Sequence, residues 1–333
     1  MTGRLIQLSG VVVDHIYRVE AVPLPGGEAR VLSAALVAGG GLNAMVAARR
    51  AGMVVAYGGT LGTGPFADLT ATAMAREGIE VLRPRLPGQD QGCCTVLIDQ
   101  SGERTFIALE GADGQVSTAD LALIRPTSQD WLLLSGYALC YAGSRQALTG
   151  WLEQAGWLEQ AGWLEQAGWL EQARGPRLVF DPSPLVGEIA PATLRAALAA
   201  SLWVSANGGE AQALTGYPSP AEAAAFLAKG RNGGGAVVRV GADGCYLAQP
   251  GALVQHVPGF PVTAVDTNGA GDAHIGAFIA ALSRGEAPLM AARLANVAAA
   301  LAVTQNGPST APTMDAVLAA LAAGPQMLSQ QGS

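Results

Sequence analysis

The chain has 333 residues, of which 50% are hydrophobic and 14% are charged, and its formal net charge is −7. This composition excludes a largely disordered protein, and the acidic charge argues against a nucleic-acid partner, which normally needs a basic face. The four cysteines lack the spacing of a zinc site. Apolar stretches are too short or too interrupted to span a membrane, and no secretory signal opens the chain, so we expect a cytoplasmic protein.

Apolar runs typical of β-strands alternate with helical patterns along most of the chain. The predicted strands are 5–13, 53–57, 131–134, 178–180, 202–204 and 236–240. The predicted helices are 42–51, 65–76, 191–199, 220–228, 270–282, 288–304 and 313–322. This alternation predicts an α/β fold of three layers, with a mostly parallel central sheet flanked by helices.

Two regions break the alternation, because they contain strand-like runs with no helix between them. These runs are 28–37 and 93–109, and the second is interrupted by a turn at 99–102. We expect a small antiparallel β lid, contributed by about 12–38 and 92–110. Parallel sheets bind ligands at the carboxyl ends of their strands, so the lid is expected to cover that edge.

The hexapeptide Gly-Trp-Leu-Glu-Gln-Ala occurs four times in tandem over residues 150–173. Six residues turn a helix by about 600°, so the four tryptophans fall on three different faces and cannot all share one core. We interpret the repeat as a duplication that extends one surface helix. It is either an inert expansion or a self-association surface made of exposed tryptophans.

Polar and glycine residues follow the first predicted strand. Asp14 is expected at the carboxyl end of that strand, where it would either accept sugar hydroxyl groups or be a solvated turn carboxylate. The glycine turn at Gly39 and Gly40 precedes Asn43 at the head of a helix, and it lies too far from the strand for a dinucleotide-binding turn. This turn lets a small polar ligand approach the backbone, with Asn43 forming hydrogen bonds to it.

Two further elements indicate a nucleotide and its metal. Asn207 and Glu210 have the spacing of a capping box at a helix start, and their oxygens could also orient a hydrated Mg²⁺. Downstream, the predicted strand 236–240 contains Arg239 and leads into a glycine turn with Gly241 and Gly244, suited to lie along a nucleotide.

The most informative segment is 266–272, which reads Asp-Thr-Asn-Gly-Ala-Gly-Asp and precedes a predicted helix. The small residues Gly269, Ala270 and Gly271 allow a tight turn and leave backbone N–H groups open to a ligand. At a helix start these groups and the helix dipole favour a bound phosphate. Asp272 would then be either a base beside that phosphate or a simple helix cap.

Together these motifs resemble the ribokinase-like (PfkB) family of carbohydrate and nucleoside kinases, and the resemblance covers essentially the whole chain as one domain, 1–333. The segment 266–272 is similar to the most specific signature of that family. The segment ending at Asn43 is similar to its N-terminal glycine motif, and 207–210 to its Asn-x-x-Glu motif. Within the family, the likeness is greatest to bacterial sugar kinases of unassigned substrate, through the stretches 102–106, 135–137 and 311–313.

The resemblance implies transfer of the γ-phosphoryl group of ATP to a hydroxymethyl group of a sugar or nucleoside. Asp272 would be the base, and the N–H groups of Gly269, Ala270 and Gly271 would form the anion hole. The residues expected to hold the acceptor are Asp14, Gly39, Gly40 and Asn43. The family also implies a homodimer joined through the lid.

The same resemblance assigns the cofactor sites. The residues expected to contact ATP are Asn207, Arg239, Gly241, Gly244 and Asn296. Asn207 and Glu210 would order Mg²⁺ through water molecules. Asp266, with backbone carbonyl groups of 303–309, is similar to the family's potassium site.

The acceptor is left open by the sequence. Ala38 replaces the usual first glycine of the sugar motif, Val12 replaces a polar residue of ribose-specific members, and no acidic residue follows Gly136. These departures weaken ribose as the substrate. The alternatives are a kinase of a small non-sugar alcohol, such as a vitamin precursor, or a non-catalytic binding protein on the same fold, and an intact Asp272 argues against the second.

Overall fold

A computed structural model describes residues 3–101, 103–160 and 176–324. Its strands are β1 (Leu5–Gln7), β2 (Val11–Val19), β3 (Val31–Gly40), β4 (Val55–Tyr57), β5 (Glu80–Val81), β6 (Cys93–Ile98), β7 (Arg104–Leu109), β8 (Trp131–Ser135), β9 (Arg177–Asp181), β10 (Trp203–Asn207), β11 (Gly235–Arg239), β12 (Gly244–Ala248) and β13 (Gln255–Pro258). Its α-helices are α1 (Gly41–Arg50), α2 (Pro65–Arg76), α3 (Thr118–Leu123), α4 (Gly136–Cys140), α5 (Ala142–Gln160), α6 (Pro191–Ala200), α7 (Gly208–Thr215), α8 (Pro220–Ala228), α9 (Ala270–Ser283), α10 (Pro288–Ala302) and α11 (Met314–Ala323). Each helix predicted from the sequence is present.

The larger sheet has the strand order β13-β12-β11-β10-β9-β8-β1-β4-β5. It is parallel from β11 to β5, and β12 and β13 extend it in the antiparallel sense. Successive side chains of a strand point to opposite faces, so Val237 and Val238 of β11 join different apolar clusters. A parallel sheet covered on both faces explains why its strands are nearly continuous apolar runs. The predicted three-layer architecture is confirmed.

Helices cover both faces of this sheet. On one face, α1, α2, α9, α10 and α11 pack in one large cluster, and on the other face α3, α4, α5 and α6 pack beside a smaller cluster from α7 and α8. Helices α1 and α9 approach closely, because a Cβ at Gly276 would lie 2.4 Å from the carbonyl oxygen of Ala44. A side chain at position 276 would therefore separate the two helices.

The smaller sheet has the order β3-β2-β6-β7 and forms the predicted lid. Strands β3 and β7 pair with their neighbours in the antiparallel sense, whereas β2 and β6 run parallel. The prediction of one continuous strand over 5–13 is wrong. Ser9 and Gly10 end the first strand, and the chain crosses there into the lid, where β2 begins at Val11.

Strands β5, β12 and β13 are absent from the sequence prediction. Helix α5 contains the first copy of the hexapeptide, with Leu152 buried and Trp151 packed beside it. Residues 161–175 lie outside the described part of the chain, so the extension of this helix by the later copies remains a prediction. Among the described residues, no helix is both long enough and apolar enough to cross a membrane.

Candidate active site

Polar residues end three neighbouring strands at one edge of the main sheet. Asp181 ends β9, Asn207 ends β10, and Arg239 ends β11, directly opposite Asn207 in the register. Parallel strands present these carboxyl ends on the same edge, which is the edge where ligands bind in such folds.

Asp272 lies in the first turn of α9. Gly269 begins this helix with φ +73°, and no side chain in the described residues caps the helix start. The N–H of Ala270 donates to the Thr267 carbonyl group at 3.3 Å. A helix start without a side-chain cap, preceded by a left-handed glycine, has the geometry that binds anions.

Burial and then the negative charge of Asp181 raise the pKa of the Asp272 carboxyl from 3.8 to about 7. A hydrogen bond from Asn43 and the charge of Arg239 oppose this increase, while Asp14 adds to it. A carboxyl group with this pKa exchanges a proton near neutral pH, as a general base must.

Asn43 holds Asp272, although the sequence predicts it as a ligand of the acceptor. Its Nδ2 donates to Asp272 Oδ2 at 3.2 Å, and its Oδ1 accepts from Ser309 Oγ at 2.8 Å. Ser309 has φ +56°, which is unusual for a residue other than glycine. The three side chains therefore form a hydrogen-bonded chain that ends at the carboxyl group.

Asp14 lies within β2, opposite Val37 of β3 and Cys94 of β6. The prediction that it ends a strand of the main sheet is wrong, because the crossover at Gly10 places it in the lid. A Cβ at Gly39 would lie 2.2 Å from Asp14 Oδ2, so only glycine leaves room for the carboxyl group. Burial raises the pKa of Asp14 to about 6.

Gly40 precedes α1 with φ +61°, a conformation that favours glycine. Together with Gly39 it turns the chain from the lid into α1. Asp14 and both predicted glycines therefore belong to lid strands, and the glycines lead directly into the helix that carries Asn43.

The guanidinium group of Arg239 is surrounded by acceptors. It donates to Ser205 Oγ, lies 3.4 Å from Asp181 Oδ2 and 3.7 Å from Glu210 Oε2, and would lie 3.7 Å from a Cβ at Gly271. Arg239 thus lies at the start of α9, between the glycine turn and the acidic side chains.

Asn207 and Glu210 form the predicted capping box at the start of α7. The N–H of Asn207 donates to Glu210 Oε2, and the N–H of Glu210 donates to Asn207 Oδ1, both at 2.8 Å. Burial and the charge of Asp181 raise the pKa of Glu210. In the part of the chain that the structure describes, no three His, Cys, Asp or Glu side chains could hold a metal ion together.

These oxygen donors fit a hydrated Mg²⁺, which prefers oxygen ligands and keeps several of its waters. Asp181 and Glu210 repel each other, and a cation between them and a phosphate would relieve that repulsion. The residues present therefore suit a metal held jointly with a nucleotide.

The remaining predicted nucleotide contacts are two glycines in a turn and one buried asparagine. Gly241 and Gly244 form the turn between β11 and β12, with φ +66° and +96°. Asn296 is buried, and its Nδ2 donates to the carbonyl groups of Val257 and Pro258, both at 3.0 Å. Asn296 therefore joins α10 to β13, and a contact with ATP remains a prediction.

Asp266 is buried just before the glycine turn. It forms an ion pair with Arg104 of the lid, and its carboxylate also accepts N–H groups of Asn268 at 2.9 Å and Gly307 at 3.1 Å. Burial raises its pKa, but these hydrogen bonds and the Arg104 charge together bring the pKa below its ordinary value.

Comparison with known proteins decides the family. The sequence model of the family described as "pfkB family carbohydrate kinase" matches residues 10–314 of this chain. The chain belongs to the pfkB family. This carbohydrate kinase is 29% identical over 317 residues to the uncharacterized sugar kinase YegV of Escherichia coli, covering 94% of this chain and 92% of that protein.

Two solved structures illustrate the shared ribokinase fold of the pfkB kinases. Arabidopsis thaliana ribokinase complexed with ribose and ATP aligns with TM-score 0.71 and 21% identity, covering 96% of this chain and 98% of the other. Burkholderia thailandensis nucleoside kinase in complex with inosine aligns with TM-score 0.73 and 20% identity, covering 95% of each chain. At these identities the likeness concerns the fold alone.

The sequence analysis gave no site role to three side chains that the structure places at this candidate site. Asp181 directly follows the predicted strand 178–180, so the rule applied to Asp14 would have identified it. Ser309 gives no sequence signal, since its role depends on a loop meeting α1. Tyr137 is partly exposed beside the acidic groups, and burial followed by the charge of Asp181 raises its pKa to about 12.

Proposed function

We propose that this chain is a single-domain, ATP-dependent kinase that phosphorylates a hydroxymethyl group of a sugar or nucleoside. The observation that carries the proposal is the Asp272 carboxyl group, with a pKa of about 7, at an uncapped helix start. A protein that only binds ligands has no use for a base beside a phosphate site.

The reaction uses groups that the chain holds in place. Asp272 accepts the proton of the acceptor hydroxyl group, whose oxygen forms a bond to the γ-phosphorus while the bond to the bridging oxygen of ADP breaks. The N–H groups of Gly269 and Gly271 and the Arg239 guanidinium stabilise the charge on the transferred group, which is the main requirement of phosphoryl transfer. The Ala270 N–H joins them when it leaves the Thr267 carbonyl group, to which it donates at 3.3 Å. Asn43 keeps Asp272 oriented during this step.

Asn207, Glu210 and Asp181 would hold Mg²⁺ through its waters, and the bound ion would neutralise phosphate charge and align the nucleotide. Arg239, Gly241 and Gly244 would follow the nucleotide along the edge of the sheet.

The acceptor would lie between the lid and α9. Asp14 and the backbone at Gly39 suit a pair of sugar hydroxyl groups, because a carboxylate accepts two hydrogen bonds at once. Both ribose and inosine carry a primary hydroxyl group on a furanose ring. A nucleoside therefore stays in the proposal beside free sugars.

We also propose a homodimer formed through the lid. The outer lid strands β3 and β7 expose large apolar side chains, among them Leu32, Leu36, Phe106 and Ile107. Several large apolar side chains exposed on one small sheet suit a protein interface. Light scattering after size exclusion should give twice the chain mass, and Phe106→Glu should halve it; a monomeric wild type would contradict the proposal.

An ADP-release assay across pentoses, hexoses, nucleosides and small non-sugar alcohols tests the activity. We expect ADP production that requires one class of acceptor and a product that carries a phosphate monoester at a primary hydroxyl group. Calorimetric binding of a sugar and ATP without turnover would favour the non-catalytic alternative. Turnover only with a non-sugar alcohol would assign the chain to that acceptor class.

A further inference from the structure

The lid carries a cation that reaches the loop before the phosphate-binding helix. Arg104 is the first residue of β7, opposite Ile98 of β6, and its guanidinium group donates to Asp266 Oδ1. Both side chains are largely buried, with 25% and 8% of the side-chain surface exposed. Charge-assisted hydrogen bonds between partly buried groups are stronger than surface ion pairs.

Asp266 and Val303, which the family resemblance places in a potassium site, already have hydrogen-bond partners. One oxygen of Asp266 accepts from Arg104 and from the Asn268 N–H, and the other accepts from the Gly307 N–H. The carbonyl oxygen of Val303 accepts two N–H groups, from Val265 at 2.7 Å and from Asp266 at 3.1 Å.

Two further carbonyl groups at this loop also have partners. The Ser309 carbonyl oxygen accepts from Arg50 Nη1 at 3.0 Å, and the Ala302 carbonyl oxygen accepts from Thr310 Oγ1 at 2.9 Å. A potassium ion here would have to displace these donors and would lie beside a guanidinium group, which repels it. The donor set does not fit a bound potassium ion.

We propose that the Arg104 guanidinium serves as the fixed cation of the Asp266 site, so that this kinase does not depend on potassium. Asp266 lies three residues before Gly269, so the ion pair also ties the lid to the loop that binds the phosphate. Arg104 is a positioning residue, because it acts through Asp266 and touches neither the base nor the anion hole. The activity readouts below rest on the proposed kinase function, whereas the stability readout does not.

The test compares wild type, Arg104→Ala and Arg104→Lys at one ionic strength in potassium, sodium or choline chloride. Wild type should show the same rate in the three salts. Arg104→Ala should fall by about tenfold in choline, the loss typical of one charge-assisted hydrogen bond, and potassium or guanidinium ions should restore it with a saturable dependence. Arg104→Lys, which keeps a cation, should retain more activity than Arg104→Ala.

Arg18 provides a matched control, because it is an exposed arginine on β2 opposite the same Ile98. Arg18→Ala should leave the rate and its salt independence unchanged. Melting temperatures without substrate give a second readout: potassium, relative to choline, should raise that of Arg104→Ala but not that of wild type.

Three results would overturn the inference: saturable stimulation of the wild type by potassium, full activity of Arg104→Ala in choline, or a loss that no cation restores. Failure of the wild type to phosphorylate any acceptor in any salt would instead contradict the proposed function. In that case the melting temperatures would still decide whether Arg104 replaces the ion.

Discussion

Replacing Asp272 by Asn should have opposite effects on activity and on stability. The carboxyl group has its pKa raised from 3.8 to about 7. At about 1.4 kcal/mol per pKa unit, its ionised form costs the folded state about 4 kcal/mol above pH 7. We expect Asn to recover about 2 kcal/mol, because a buried amide also loses hydration.

The pH dependence separates this effect from other causes. A raised carboxyl pKa means that the cost is absent below pH 3.8, grows as the pH rises, and is complete above the folded pKa of about 7. Urea denaturation of the wild type and of Asp272→Asn at pH 5 and pH 8 should therefore show the larger stability gain at pH 8.

Activity should move in the other direction. Loss of a general base lowers turnover by about 10²–10⁴-fold, while ATP still binds. In the wild type, kcat/KM should rise with pH until the base is deprotonated, at about pH 7. Asp315, an exposed aspartate in the first turn of α11, provides the control, and Asp315→Asn should change neither property.

Two outcomes would refute this reasoning. Turnover of Asp272→Asn above a tenth of the wild-type value would show that Asp272 is not the general base. An equal stability gain at pH 5 and pH 8 would show that folding does not raise the pKa of the Asp272 carboxyl group.

Three further substitutions test the geometry around this group. Gly39→Ala should displace Asp14 and raise the KM for the acceptor more than it lowers kcat; an unchanged KM would contradict the placement of Asp14 in the acceptor site. Gly276→Ala should push α1 from α9, at a cost of about 1–3 kcal/mol in urea denaturation, with a lower kcat; wild-type stability would show that the helices are not in close contact. Ser309→Ala should release Asn43 and lower kcat several-fold with ATP binding unchanged, and wild-type kcat would show that Asn43 needs no such support.

The architecture could be predicted from the sequence because its elements are long and periodic. The alternation of apolar strands and helices determines a covered parallel sheet, and each predicted helix is present. The capping box at Asn207 could also be predicted, since its spacing is local and its two hydrogen bonds join neighbouring residues.

Contacts between segments that are distant in the chain could not be predicted from local sequence patterns. The run 5–13 looks like one strand, and only the packing of Gly10 against Asp113 shows where the chain leaves the main sheet. The contact of Arg104 with Asp266 joins residues 162 positions apart. No periodicity reports such a pair, and the same holds for Ser309 with Asn43.

The pairing of Asn43 with Asp272 joins residues 229 positions apart, across two helices that meet at Gly276. During synthesis, the segment that carries Asn43 leaves the ribosome long before the base exists, and domains of this size complete their packing only once late segments arrive. The carboxyl group thus acquires its orienting partner only when nearly all of the chain has been made. An incomplete polypeptide that lacks the late segments would therefore hold Asn43 without the carboxyl group that it orients.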